Sequence, residues 1–320
     1  MWTFDLPLEE LENYKPSRTA QPDFEEFWGR TKTESSAQPL NPELVPIDYP
    51  VKRVQVFSAT FDGFAGGSDQ PPRAGGWFFI PEEPAPRPAL VIYHGYHGYR
   101  DRISTHLPWA LMGFVVLAMD VRGRGEAPDW TEYEGGHGLG WMTRGIMNKE
   151  EYLYRFAYMD CVRGVDFIAE RPEVDPDRIG VLGGSQGGAL SLAVAALSDR
   201  PAIAMPMVPF LCYYPDAVKM ARENQYGELN NYFIRYPERE EQGMKTLSYV
   251  DNMNLAPWIT CPTLISVGLR DTTCPPSTVY ATYNHLTCEK EILYYPYDMH
   301  SGGGDAHRER VIEWAHRLNP

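Results

Sequence analysis

The chain has 320 residues, 43% of them hydrophobic and 22% charged, with a net charge of −14. This is the composition of a folded globular protein, and at this length one large α/β domain can bury a full core. The acidity argues against a nucleic-acid partner, which needs a basic footprint, and against an anionic membrane surface; a neutral small substrate suits it.

Residues 1–45 read as an N-terminal extension, with short helices over 8–14 and 23–31. The second carries Phe24, Phe27 and Trp28 along one side, as a segment packed on a domain edge would. No basic region leads into an apolar stretch, and no run reaches the ~20 apolar residues of a membrane span, so a cytoplasmic protein is expected. The cysteines, Cys161, Cys212, Cys261, Cys274 and Cys288, are odd in number and form no CxxC pair. That argues against a disulfide framework and against a thiolate zinc site.

From residue 51 the pattern changes. Residues 51–57 alternate apolar and polar, and 75–80 form a second run ending at Pro81, together an antiparallel opening hairpin. Continuous apolar runs follow at 89–93, 114–119, 179–182, 202–208, 263–267 and 292–295. Such runs suit strands buried on both faces of a parallel sheet. Helical segments at 150–171, 186–197, 276–284 and 306–318 lie between or after them. The alternation predicts a doubly wound α/β sheet. The aromatic and charged stretch 210–254 interrupts it and is expected to sit over one end of the sheet as a cap. No linker divides the chain, so 1–320 reads as a single domain.

The central motif is Gly183-Gly184-Ser185-Gln186-Gly187, entered from the apolar run 179–182 and followed by a helix of small residues. The pentad alone arises by chance in roughly one chain in ten. Its strand–turn–helix setting is what gives it meaning: the serine sits in a strained turn that lifts its hydroxyl above the sheet. The glycines supply no side chain to clash across that turn, and the N–H of Gln186 opens the helix toward a developing oxyanion.

A nucleophilic serine needs a base, and on this fold the order is Ser, then Asp or Glu, then His. Four histidines lie downstream: His285, His300, His307 and His316. His300 lies in the loop after the last strand and before the last helix, where an imidazole can reach over the elbow. His307 and His316 fall in the final helix and read as surface residues, and His285 as a helix-end residue at the negative end of its dipole. Asp271 follows the strand 263–267 and is the candidate to orient the imidazole, its alternative role being a loop or helix cap. Asp298 is the rival, only two residues before His300. The second oxyanion donor is expected from His94-Gly95-Tyr96-His97-Gly98, with the N–H of Tyr96 as candidate. His94 and His97 are set aside as a metal pair, because a strand–loop setting is not the HExxH helix of a zinc protease.

With these residues in place, the chain resembles the acetyl xylan esterase / cephalosporin C deacetylase family, carbohydrate esterase family 7. The elbow matches the family's Gly-x-Ser-Gln-Gly, and residues 93–96, 136–145, 244–249 and 275–278 are similar to it as well. Two hallmarks differ: Arg122-Gly123 is followed by Arg124 instead of Gln, and His300 by Ser301 instead of Glu. The first is expected to change how the loop after Asp120 is braced. The second, with Gly302 to Gly304, is expected to loosen the histidine loop.

The resemblance implies an α/β-hydrolase that removes acetyl groups from sugar hydroxyls, such as acetylated xylose and xylooligosaccharides, and from cephalosporin-type esters. It implies no metal or organic cofactor. It also implies a hexamer, with 136–145 at a subunit interface, where Trp141, Met142 and Ile146 would be costly to leave in water. The competing readings are a hydrolase of another class on the same fold, such as a peptidase or lactone hydrolase, and a non-catalytic member that keeps the elbow.

Overall fold

The computed structural model describes residues 4–133, 135–221 and 223–319. Residues 1–3 of the expected extension and residue 222 of the expected cap lie outside them. The opening strands β1 (Glu43–Ile47), β2 (Val54–Asp62) and β3 (Arg73–Pro81) pair antiparallel, β2 and β3 as the expected hairpin, with Val54 opposite Pro81 and Asp62 opposite Arg73. The apolar runs become β4 (Arg87–Tyr93), β5 (Val115–Asp120), β6 (Val174–Gly184), β7 (Pro201–Met207), β8 (Thr263–Gly268) and β9 (Lys290–Tyr295). Together they form a nine-stranded sheet in the order β1-β2-β3-β5-β4-β6-β7-β8-β9. β3 runs antiparallel to β5, and from β5 to β9 every pairing is parallel.

The reason for most of the runs is burial; β9 is the exception, an edge strand with none of its residues fully buried, contrary to expectation. All six residues of β5 and all six of β8 are buried, so neither strand has a polar face to offer water. Two apolar cores cover the sheet's faces. One contains α4 (Leu153–Ala169), α5 (Gln186–Leu197) and α10 (Pro276–His285); the other contains residues of α3 (Ile103–Leu111) and α11 (Gly304–Ala315). α5 is buried along its whole length, which explains its run of small apolar residues without a polar stripe.

In the N-terminal extension, α1 is short (Leu8–Leu11) and α2 (Phe24–Ser36) is longer than expected. Trp28 is fully buried and donates its indole N–H to Tyr249 O at 2.8 Å, which seats α2 on the cap's base. The cap comprises α6 (Tyr214–Met220), α7 (Asn224–Arg235) and α8 (Glu240–Ser248), closing at α9 (Asn252–Leu255). Asp251 ties its two ends together. Its carboxylate accepts N–H bonds from Tyr213, Tyr214 and Met253 at 2.8, 3.0 and 2.9 Å. Complete burial lifts its pKa to about 6, against the pull of those donors.

Several elements differ from expectation for identifiable reasons. β1 is an edge strand with a mostly exposed face and Pro46 in it, so it carries no apolar alternation to read. α3 contains Pro108, which hides a helical pattern. β6 begins five residues before its apolar run, at Val174, where Val174 pairs with Arg87. His307 is not a surface residue: it is 1% exposed, on the same inward face as Val311 and Ala315. His285 is also buried, and its Nδ1 donates to Ala281 O at 2.8 Å; desolvation lowers its pKa and favours the neutral ring over a cation at the helix end. Met142 and Ile146 are fully buried within this chain, so their apolar surface gives no reason for a subunit contact.

Candidate active site

The parallel strands deliver the candidate residues to one edge of the sheet. Ser185 follows β6, Asp271 follows β8, and His300 follows β9, all beyond the strands' C-terminal ends. Ser185 has φ 56° and ψ −117°, the left-handed turn expected of the elbow. The turn closes against its neighbours: Ser185 N–H donates to Met207 O at 2.9 Å, and Phe210 N–H to Ser185 O at 3.0 Å. A side chain at Gly187 would run into Tyr93 O, which is why this position admits only glycine.

His300 Nδ1–H donates to Asp271 Oδ2 at 2.7 Å. That bond leaves Nε2 unprotonated, and it accepts from Ser185 Oγ–H at 2.9 Å. Asp271 is fully buried, and its other oxygen accepts from the N–H groups of Thr273 and Cys274 at 2.8 and 2.9 Å. The His300 side chain is 33% exposed, so the imidazole sits between a buried carboxylate and open solvent. Asp298, the rival acid, does not face the imidazole edge but braces the loop. Its carboxylate accepts from Met299 N–H at 2.8 Å, Ser301 Oγ–H at 2.6 Å and Gly303 N–H. Burial pushes Asp298 up, but these bonds outweigh it and hold the carboxyl below its ordinary range. The loop is therefore held by its own carboxylate. Its glycines are used, since a Cβ at Gly302 would lie 2.7 Å from Ser266 Oγ and from Val208 Cγ1.

The two oxyanion candidates flank Ser185. Gln186 is the first residue of α5, so its N–H belongs to the set a helix leaves without intrahelical partners. Its side chain is buried and fixed, with Oε1 accepting from Tyr154 Oη–H at 2.9 Å. The Tyr96 loop lies against the elbow: a Cβ at Gly95 would be 3.9 Å from Ser185 Cβ. His94 shapes that loop, with Nδ1–H donating to Gly95 O at 2.7 Å and Nε2 accepting from Val121 N–H at 3.0 Å. Both ring nitrogens are thus committed to backbone, which leaves neither available as half of a metal pair.

Three groups hold Tyr96, and the sequence connected none of them to it. Arg124 Nε donates to Tyr96 O at 2.8 Å, and its guanidinium stacks 3.9 Å over the Trp141 ring. Glu228, from the cap helix α7, accepts the Tyr96 hydroxyl at 2.9 and 2.8 Å on its two oxygens and Met142 N–H at 3.0 Å. Trp141 N–H donates to that same hydroxyl at 2.9 Å. Arg124 thus ties the loop after Asp120 directly to the Tyr96 loop. Glu228 gave no sequence signal, being one of many acids in the cap.

Among the described residues, Asp271, Cys274 and His300 are the only three metal-type ligands close together. Asp271 already accepts on both oxygens, and His300 is bonded on both nitrogens. Burial raises the Cys274 thiol well above its ordinary pKa, against the thiolate a metal requires. The group fits a proton relay better than an ion.

Fold and site together define an α/β-hydrolase. A solved acetyl xylan esterase from Paenibacillus sp. R4 is similar with a TM-score of 0.93 and 42% identity, covering 98% of this chain and 99% of that one. Acetyl xylan esterase 1 from Thermoanaerobacterium sp. JW/SL YS485 is similar at 0.93 and 32%, over 99% of this chain and 100% of that one. Acetyl esterase Axe7A of Xylanibacter ruminicola is 32% identical over 206 residues, 60% of this chain and 44% of that protein. The chain spans less than half the length of the curated relatives it matches first. The acetyl xylan esterase family model matches residues 1–318, and the chain belongs to that family.

Proposed function

We propose that this chain is a serine esterase that releases acetyl groups from sugar hydroxyls, acetylated xylose and xylooligosaccharides foremost. The observation that carries the proposal is the continuous relay from Asp271 Oδ2 through His300 to Ser185 Oγ, at 2.7 and 2.9 Å. In the proposed reaction Ser185 Oγ attacks the acetyl carbonyl while His300 Nε2 takes its proton. Asp271 holds the imidazole in the tautomer that can do this and stabilises the imidazolium. The N–H groups of Tyr96 and Gln186 hold the oxyanion. His300 then protonates the departing sugar hydroxyl, and water, activated by the same ring, releases acetate and restores Ser185.

The family resemblance extends the proposal to cephalosporin-type acetyl esters and to a hexamer. A cytoplasmic location is supported by five cysteines that form no disulfide. No helix among the described residues is long and apolar enough to cross a membrane.

The test is acetate release from p-nitrophenyl acetate and from acetylated xylose, wild type beside Ser185→Ala. Turnover is expected to fall by about 10⁴-fold or more in the variant. Equal release by both proteins would overturn the assignment, and a silent wild type would remove the acetyl-ester reading.

A further inference from the structure

One cavity lies away from the relay. It has a volume of about 940 Å³ and is lined by the β2–β3 loop, the loop after β5, α2 and the start of α4. Its place in the sheet relates it to the relay. β3 runs antiparallel to β5, so Gly75 near its start lies opposite Asp120 at the end of β5. The β2–β3 loop therefore lies at the same sheet edge as Ser185. In the order β3-β5-β4-β6, three strand spacings separate them, about 15 Å.

The chemistry of the lining selects the ligand. Each arginine facing the cavity already has a carboxylate partner. Arg122 pairs with Asp160 through two bonds of 2.7 Å, Arg155 with Glu34 at 3.1 Å, and Arg30 with Glu150. An anion would have to compete with these internal pairs and would meet two further carboxylates of the lining, Glu132 and Glu151, so it is disfavoured. A neutral molecule rich in hydroxyls can instead donate to the carboxylates and accept from the guanidinium N–H groups without breaking them. Trp130, 59% exposed, contributes a flat aromatic face to the same lining, on which the C–H face of a pyranose ring can pack.

One loop also connects cavity and relay. Arg122 lines the cavity and donates to Phe64 O at 2.6 Å, while Arg124, two residues on, donates to Tyr96 O.

From this we propose that the cavity is a distal sugar subsite. It binds the unacetylated part of a neutral oligosaccharide whose acetylated unit lies at Ser185, with Trp130 as its stacking platform. The proposal rests on the acetylated-sugar reading above and adds a chain-length preference to it.

The test is a calorimetric titration of the Ser185→Ala protein with unacetylated xylohexaose, which needs no turnover. Saturable binding is expected. Adding Trp130→Ala should weaken it about fivefold or more, and Trp130→Phe should restore most of it. With Ser185 present, KM for acetylated xylohexaose should lie below that for acetylated xylose, and Trp130→Ala should bring the two together. No binding of xylohexaose at millimolar concentration, or equal binding with Trp130→Ala, would overturn the subsite. Failure to hydrolyse either sugar would instead overturn the esterase reading, while the titration still judges the cavity.

Discussion

The elbow that carries Ser185 and the loop that carries His300 meet at a 2.9 Å hydrogen bond, yet they are held in place by different means. The elbow is positioned by exclusion. α5 behind it is wholly buried, and a Cβ at Gly187 would enter the space of Tyr93 O. The histidine loop is positioned by attraction, with one side chain, Asp298, collecting Met299 N–H, Ser301 Oγ–H and Gly303 N–H. Contacts between backbones leave no room for adjustment, whereas a loop gathered on one carboxylate can change its sequence at position 301, although Gly302 and Gly303 leave no space for a side chain. This explains how the chain can carry Ser301 after its histidine and still present the imidazole to the serine.

The comparison breaks most readily at the elbow. Gly187→Ala forces a methyl group onto backbone that cannot retreat, and a destabilisation of roughly 4 kcal/mol or more is expected, with loss of activity. Thermal unfolding and acetate release measure both, and an unchanged melting temperature would show that the elbow has slack. Asp298→Ala should act differently. The fold should lose only about 1–3 kcal/mol, the worth of bonds to one carboxylate, while kcat falls about 10- to 100-fold as the imidazole drifts. A variant with full kcat would mean that other contacts hold the loop.

The loop's downstream anchor sharpens the contrast, because it titrates. His307 is buried against Tyr295, whose hydroxyl lies 3.1 Å from Nδ1, and burial lowers its pKa from 6.5 to about 4. A neutral ring in the folded state and a protonated one in the unfolded state mean that its contribution is complete above pH 6.5. It is lost as pH falls toward 4, by about 2–3 kcal/mol at most. Asp251 works in the opposite sense between its unfolded value of 3.8 and about 6, gaining stability as it protonates in the fold. The two are separated by comparing His307→Phe with wild type in urea unfolding from pH 7 to pH 4. The variant should lose less stability than wild type over that range; parallel curves would show that His307 does not titrate there.

The relay was legible in the sequence because its parts follow strand ends. Ser185 sits between an apolar run and a helix of small residues, and Asp271 and His300 follow the last two apolar runs. The same pattern made the parallel part of the sheet readable. What could not be read depends on contacts distant along the chain. Glu228 reaches Tyr96 across 132 positions, and no local spacing announces that. β1 gains its pairing from β2 alone and has no buried alternation. His307 is a different case: Val311 and Ala315 follow it at intervals of four, so its inward face could have been read from helical periodicity.

The central claim is that Ser185 is the nucleophile and that His300 activates it. The most direct measurement is labelling with a serine-directed alkyl phosphonate, followed by peptide mass spectrometry, on wild type and on His300→Ala. One adduct per chain is expected, on the peptide containing Ser185, formed quickly in wild type and at least about 100-fold more slowly without the imidazole. Acetate release that continues with Ser185 unlabelled, or labelling at the same rate without His300, would contradict it.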